Sequence, residues 1–170
     1  HIYPDKLARK AARSIGDFYD IDMSLDGTVD MLLKVGDEAG VDKFLVHSVA
    51  TTPHQVRSIN SFIAKSVSEH PDRFIGFATL HPGCGDEIPE IVDEAIALGL
   101  SGIKLHPDFQ EFDIDAPEAM RMYEVLEGMG RGEAKKRFTG LTQKYIMLQR
   151  GEGIRLETCE DIRKIYDELV

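Results

Sequence analysis

The chain has 170 residues, of which 42% are hydrophobic and 29% are charged, a composition typical of one soluble globular domain. No stretch approaches the roughly 18 consecutive apolar residues of a membrane helix, and the first residues do not resemble a signal peptide. Two cysteines are too few for a disulfide framework, so we expect a cytoplasmic protein. The formal net charge of −10 disfavours nucleic-acid binding, because a negative protein repels phosphates.

The acidic excess lies entirely in residues 1–130, whereas residues 131–170 are slightly basic. The change occurs at a glycine cluster, residues 128–132, of the kind that marks a turn or linker. We therefore predict two parts that meet at residue 130.

The hydrophobic pattern of the first part predicts alternating helices and strands. The predicted helices cover about residues 4–15, 29–39, 53–68, 87–98 and 117–128. The predicted strands cover residues 43–49, 74–79 and 101–104. Thr28 and Gly40 are expected to cap the second helix. This order predicts an α/β fold whose parallel strands lie side by side, and their nearly continuous apolar residues predict a sheet covered on both faces.

Three histidines lie at or near the carboxyl ends of the three predicted strands: His47, His81 and His106. Parallel α/β proteins place their chemistry at this edge, because the following loops converge there. Imidazole suits metal binding and proton transfer near neutral pH. The alternative is that each histidine only forms hydrogen bonds at the rim of the core.

The third strand places Lys104 and His106 on one face, which is costly to bury without partners. We interpret both as catalytic, with Lys104 orienting a substrate carboxylate or acting beside a metal. The alternative for Lys104 is a side chain that extends its charge to the sheet edge. The acidic and aromatic loop that starts at Asp108 is expected to contact substrate, although such loops are usually only solvated.

Three segments resemble the amidohydrolase family of metal-dependent hydrolases, in its amidohydrolase-2 branch, which also includes decarboxylases. They are His1-Ile2-Tyr3-Pro4-Asp5-Lys6-Leu7-Ala8, Phe74-Ile75-Gly76-Phe77-Ala78 and Gly102-Ile103-Lys104-Leu105-His106-Pro107. The resemblance covers residues 1 to about 129. It implies a (β/α)₈ barrel of the TIM type, with a divalent metal, usually zinc, at the carboxyl ends of the strands.

In this family the first strand ends in a His-x-His pair, and His1 matches its second histidine, so the resemblance implies that His1 is a metal ligand. His47, His81 and Asp108 are then expected to line the substrate side. The resemblance implies a metal-dependent hydrolase that acts on a small carboxylated or cyclic substrate. A decarboxylase of the same family is one alternative, and a non-catalytic partial barrel that serves binding or assembly is another.

Residues 131–170 contain no histidine, and they lack the later strands and ligands that the resemblance implies. Residues 141–149 suit a short helix, and Thr158 is expected to begin a second. The chain is shorter than the roughly 200–250 residues of an eight-stranded α/β barrel, so we expect an incomplete barrel in this sequence. We expect that the sequence omits segments of a longer protein, since an open barrel would expose a sheet edge and an apolar face. The alternative is a partial or rearranged barrel, which would be expected to associate with copies of itself or with a partner.

Overall fold

The computed structural model describes residues 1–129. Helices α1 to α5 span Asp5–Tyr19, Val29–Ala39, Val56–Glu69, Ile88–Ala97 and Pro117–Met129. Strands β1 to β3 span Phe44–Val46, Phe74–Thr79 and Gly102–Lys104. Short 3₁₀ turns at Pro53–Gln55 and Pro82–Glu87 precede α3 and α4. The alternation predicted from the sequence is confirmed.

Helix α2 shows how local sequence sets an element's ends. The Thr28 side chain accepts a hydrogen bond from the backbone N–H of Met31 at 3.2 Å, and Gly40 ends the helix with a φ of 69°. Both caps are as predicted. Helix α1, by contrast, runs four residues beyond the predicted end at Ile15. Gly16, a poor helix former, follows that residue, but it is buried, and Phe18 and Tyr19 continue the apolar spacing to the end of the helix.

The three strands form one parallel sheet in the order β1-β2-β3, as predicted. Strand β1 is shorter than predicted, so His47 lies directly beyond it rather than within it. Ahead of the first helix, residues 1–3 lie beside the end of β1, where the Ile2 N–H donates to the His47 carbonyl at 3.1 Å.

Successive side chains of a strand point to opposite faces of the sheet, and the two faces differ here. We call one the covered face, formed by Val46, Phe74, Gly76, Ala78 and Ile103. Its side chains contact a core that includes Ile63 of α3 and Leu100. The other face consists of Leu45, Ile75, Phe77, Thr79, Gly102 and Lys104. We call it the open face, although Thr79, at the carboxyl end of β2, is buried. Leu45 and Ile75 are partners in the strand register, and they are 50% and 38% exposed. The prediction of a sheet covered on both faces is therefore met on one face only in residues 1–129.

Helix α5 belongs to a second unit of the chain, which begins at Phe112. Ala119, Met122, Tyr123 and Leu126 are buried at helical spacing along it. None of the helices within residues 1–129 has the length and apolar character of a membrane-spanning segment. The predicted boundary at residue 130 and the two predicted helices after it lie at or beyond the end of the described residues.

Candidate functional site

Two histidines that are far apart in the sequence meet at the end of β1. The rings of His1 and His47 pack edge to face, with their centroids 4.4 Å apart. The backbone hydrogen bond between Ile2 and His47 holds the two segments together at this point. The sequence-predicted metal ligand His1 therefore lies against one of the predicted substrate-lining histidines.

His47 is a neutral imidazole with an unused nitrogen. Burial, together with nearby positive charge that includes Lys104, lowers the pKa of His47 to about 4. Its Nδ1 atom is buried and has no hydrogen-bond partner among the described residues. A buried polar atom without a partner is uncommon in native structures and indicates a missing ligand, ion or water.

Tyr3 is the hydrogen-bond partner of His1, with 2.9 Å between its hydroxyl and Nδ1 of His1. Burial raises the pKa of Tyr3 to about 12, so the hydroxyl is neutral. If His1 donates its Nδ1 proton to Tyr3, the lone pair of its Nε2 is free to bind a metal. Histidines that bind metals in proteins usually donate their other ring N–H to such a partner. The neighbouring Nδ1 of His47 is the second free imidazole nitrogen.

These two nitrogens fit a divalent metal in donor type but are too few to hold one alone. Zinc in proteins takes three or four side-chain ligands. Within residues 1–129, no group of three His, Cys, Asp or Glu side chains is close enough to hold a metal ion. The described part of the chain therefore provides at most a fraction of a metal site.

Lys104 ends β3 and brings a positive charge to the same edge of the sheet. Its ammonium group donates to the neighbouring Leu105 carbonyl at 2.6 Å, and the residue is partly buried. Burial lowers the pKa of Lys104, because it disfavours the charged form. Its charge acts on His47, as the lowered pKa of that histidine shows. An anionic group placed here would relieve the cost of the partly buried ammonium.

His106 belongs to a second group of side chains, two residues beyond β3. Its Nε2 atom lies 2.6 Å from the hydroxyl of Tyr19, at the end of α1. Its Nδ1 accepts a hydrogen bond from the backbone N–H of Phe109 at 3.3 Å. Phe18 packs edge to face against Phe109, with ring centroids 5.2 Å apart. An aromatic cluster thus surrounds the predicted catalytic histidine.

Gln110 ties the ends of all three strands together. Its amide nitrogen donates to the carbonyl of Ala50, beyond β1, at 2.8 Å and to that of Leu80, beyond β2, at 2.7 Å. Its amide oxygen accepts from the backbone N–H of His106, beyond β3, at 2.7 Å. The residue is 2% exposed, so these three bonds satisfy an otherwise costly buried amide. The position of His106 therefore depends on one glutamine.

The structure treats the other two predicted site residues differently. His81 lies beyond β2, as expected, where its Nδ1 accepts from the backbone N–H of Gly83 at 3.0 Å and so caps the following turn. Its ring also forms a hydrogen bond with the backbone of Gln110, which links it to the loop after His106. Asp108 is exposed in the turn after His106, and its carbonyl accepts from the backbone N–H of Glu111. Their assignment to substrate binding stays a prediction.

Tyr19 and Gln110 are the residues that the sequence analysis missed as site components. No spacing in the sequence links Tyr19 to His106, since 87 positions separate them. Gln110 lies in the acidic and aromatic loop that starts at Asp108. Its hydrogen-bond partners are main-chain groups, and only the folded sheet defines their positions.

A cavity of about 320 Å³ lies elsewhere, between α1 and the loop that follows it. Arg13, Asp17, Met23 and Asp26 are among its lining residues, and none of the strand-end side chains borders it. The cavity therefore does not mark the predicted site.

A parallel sheet with histidines and a lysine at its carboxyl edge is the arrangement of barrel-type α/β enzymes. Comparison with known proteins agrees. The sequence profile of the amidohydrolase family, of the amidohydrolase-2 type, matches residues 11–131, and the chain belongs to this family.

Two relatives that the comparisons found are decarboxylases. The 2-amino-3-carboxymuconate-6-semialdehyde decarboxylase of Dictyostelium discoideum is 34% identical over 73 residues, which cover 42% of this chain and 20% of the relative. The crystal structure of 2,6-dihydroxybenzoate decarboxylase complexed with 2,6-dihydroxybenzoate aligns with a TM-score of 0.50 at 20% identity, and covers 76% of this chain and 46% of that chain. The chain thus spans less than half the length of either relative. The predicted fold, part of a TIM-type barrel, is confirmed.

Proposed function

We propose that this chain is part of a metal-dependent decarboxylase that acts on a small carboxylated substrate. The observation that carries the proposal is the partly buried ammonium of Lys104 near His47, whose pKa is lowered and whose ring packs against His1. An anionic carboxylate is the group that this charge would bind, and the two similar proteins named above are decarboxylases.

In the proposed reaction the bond between the substrate carbon and its carboxylate carbon breaks, and carbon dioxide leaves. The electron pair stays on the substrate carbon, which then takes up a proton. Lys104 would bind and orient the carboxylate. His106 would hold a proton at its Nε2 atom against the Tyr19 hydroxyl, whose own proton can pass to the substrate carbon and be replaced from His106. A divalent metal, when bound, would polarise a substrate oxygen and so favour the developing negative charge. His1 and His47 would supply two of its ligands, and zinc is the expected metal.

The test combines metal analysis with a charge-removing variant. Purified protein is analysed for bound zinc and manganese, and carbon dioxide release is assayed with 2,6-dihydroxybenzoate and other small carboxylic acids. Lys104→Met removes the ammonium but keeps the length of the side chain. We expect it to lower kcat/KM by about tenfold or more, because a hydrogen bond to a charged group contributes about 1.5–3 kcal/mol. Lys65→Met is the matched control, since Lys65 lies on α3 and pairs with Glu69 on the protein surface.

Two outcomes would contradict the proposal. Protein that binds no divalent ion, and whose activity does not respond to added zinc or manganese, would exclude a metal-dependent enzyme. Protein that hydrolyses small cyclic amides or lactones, and releases no carbon dioxide from any acid, would instead support the hydrolase that the sequence analysis favoured. The cytoplasmic location stays a prediction that rests on the few cysteines.

A binding or assembly role is the second candidate, and the open face of the sheet favours it. Leu45 and Ile75 lie side by side and exposed, and burying them would gain free energy. A second copy of the chain is the occupant that we propose, because a twofold axis parallel to the strands would keep all strands parallel. Sedimentation of the 170-residue chain tests it. We expect a dimer that Ile75→Asp dissociates and that Ile96→Asp, on the exposed side of α4, leaves intact.

A further inference from the structure

Tyr19 and His106 form a hydrogen bond that joins two distant parts of the described chain. Tyr19 is the last residue of α1, and His106 follows β3, so this contact brings the end of a helix to the edge of the sheet. The distance of 2.6 Å between the Tyr19 hydroxyl and Nε2 of His106 is short for a hydrogen bond of this kind. The side chains are held together rather than merely adjacent.

The backbone around His106 determines which atom donates in this bond. The N–H of Phe109 is directed at Nδ1 of His106, and a backbone N–H can only donate. Nδ1 therefore carries no proton, and a neutral imidazole then has its proton on Nε2. It follows that His106 donates and that the Tyr19 oxygen accepts.

This direction leaves the hydroxyl proton of Tyr19 unused. Within residues 1–129 the structure gives this hydroxyl no hydrogen bond other than the one with His106. Tyr19 is 47% exposed, so its O–H group can donate to a molecule that approaches from solvent. A hydroxyl that already accepts a hydrogen bond is also a stronger donor, because hydrogen bonds in a chain polarise one another.

The surroundings of the Tyr19 hydroxyl are aromatic. Phe18 and Phe109 pack edge to face beside it, and Phe109 also packs edge to face against His106 with centroids 6.0 Å apart. Phe18 is about as exposed as Tyr19. Exposed aromatic rings beside an oriented hydrogen-bond donor suit a flat apolar ligand that carries an oxygen substituent.

We propose that Tyr19 is a substrate-binding residue, whose hydroxyl is oriented by His106 and donates to an oxygen of a planar carboxylated substrate packed against Phe18 and Phe109. The inference rests on the proposed function, because it takes the strand ends to be the substrate site. It adds a specificity-determining residue, contributed by α1, that neither the sequence pattern nor the strand-end arrangement identified.

The test uses Tyr19→Phe, which removes the hydroxyl and keeps the ring, so the exposed site is expected to fold normally. Leu7→Ala, at another exposed position of α1, is the matched control. Nitrogen-15 NMR of the histidine rings reports the tautomer of His106, and an NMR titration with 2,6-dihydroxybenzoate reports binding. We expect Tyr19→Phe to weaken the Nε2–H preference of His106 and to raise the Kd about tenfold, the effect of one lost hydrogen bond. Leu7→Ala should change neither.

The result separates this inference from the proposed function. If Tyr19→Phe binds 2,6-dihydroxybenzoate as tightly as the unmodified chain does, or if the unmodified chain does not bind it, the substrate-binding role of Tyr19 is overturned. Both NMR measurements are independent of turnover. Protein that shows the expected tautomer and binding but releases no carbon dioxide would contradict the decarboxylase alone, and the assignment of Tyr19 would stand.

Discussion

The two faces of the same three-stranded sheet differ in how far their apolar side chains are buried. On the covered face, Phe74 and Ala78 of β2 are 3% and 1% exposed and pack against the hydrophobic core around Ile63. On the open face, Ile75 of the same strand is 38% exposed, and its register partner Leu45 is 50% exposed. Adjacent residues of one strand therefore have opposite environments, although both are apolar.

The difference separates the part of the sheet that stabilises the fold from the strand ends that carry the candidate site. The covered face holds the sheet to its helices, and most of its side chains are buried within the described residues. The strand-end groups depend less on apolar packing than on specific hydrogen bonds, above all those of Gln110. In a closed barrel the inner face is a packed layer of side chains. The open face of the described residues corresponds to part of such a layer.

The largest effect is expected from truncating the core of the covered face. Ile63→Ala should lower the free energy of unfolding by about 4 kcal/mol, because it removes buried methyl groups and leaves a cavity. Ile75→Ala, the matched change on the open face, should cost less than about 1 kcal/mol when the chain is diluted until it is monomeric, since little buried surface is then lost. Urea unfolding followed by circular dichroism measures both. Equal costs for the two variants would mean that the open face is buried in solution.

A somewhat smaller effect is expected at the strand ends, from replacing a buried amide by a carboxylate. Gln110→Glu should destabilise the chain by about 3 kcal/mol, because it removes both donors and sets a carboxylate oxygen against two carbonyls. Gln55→Glu is the control, since Gln55 uses only its side-chain oxygen, as an acceptor for Thr51.

Thermal unfolding of these two glutamine variants gives the comparison directly. The control should unfold like the unmodified chain, because a carboxylate can still accept both hydrogen bonds from Thr51. Equal stability of Gln110→Glu and Gln55→Glu would show that Gln110 does not join the strand ends in solution.

The smallest difference is expected between two glycines on opposite faces. A methyl group at Gly76 would lie 2.7 Å from Val67 and 2.8 Å from Leu100, inside the packed core. Gly76→Ala should therefore cost about 2 kcal/mol through overpacking. At Gly102 the methyl group would meet only the ring of Phe77, at 2.8 Å, and this ring lies on the open face and can move. Gly102→Ala should cost less than about 1 kcal/mol. The same unfolding measurements apply, and a reversed order would contradict the assignment of the faces.

Much of the fold could be predicted because local rules decide it. The bounds of α2 follow from Thr28 and Gly40, and β2 follows from its apolar run between turns. The end of α1 was missed because Gly16 is a poor helix former, although Phe18 and Tyr19 continue the apolar spacing beyond it.

The candidate site was also predictable from the sequence only in part. The positions of His47, His81 and His106 beyond the strands were predictable, because parallel strands end at one edge. Their partners were not. His1 contacts His47, Tyr19 contacts His106, and His81 caps a turn and bonds to the backbone of Gln110. Each of these relations depends on distances that the sequence pattern does not encode.

The sequence by itself determined the order of helices and strands, the parallel sheet and the family, because periodicity, caps and motifs are properties of neighbouring residues. Only the tertiary structure decided which face of the sheet is covered and which histidine has a free nitrogen. It also decided that one buried glutamine joins three strand ends. These features arise from contacts between segments tens of residues apart, whose free energy depends on the packing of the whole sheet against its helices.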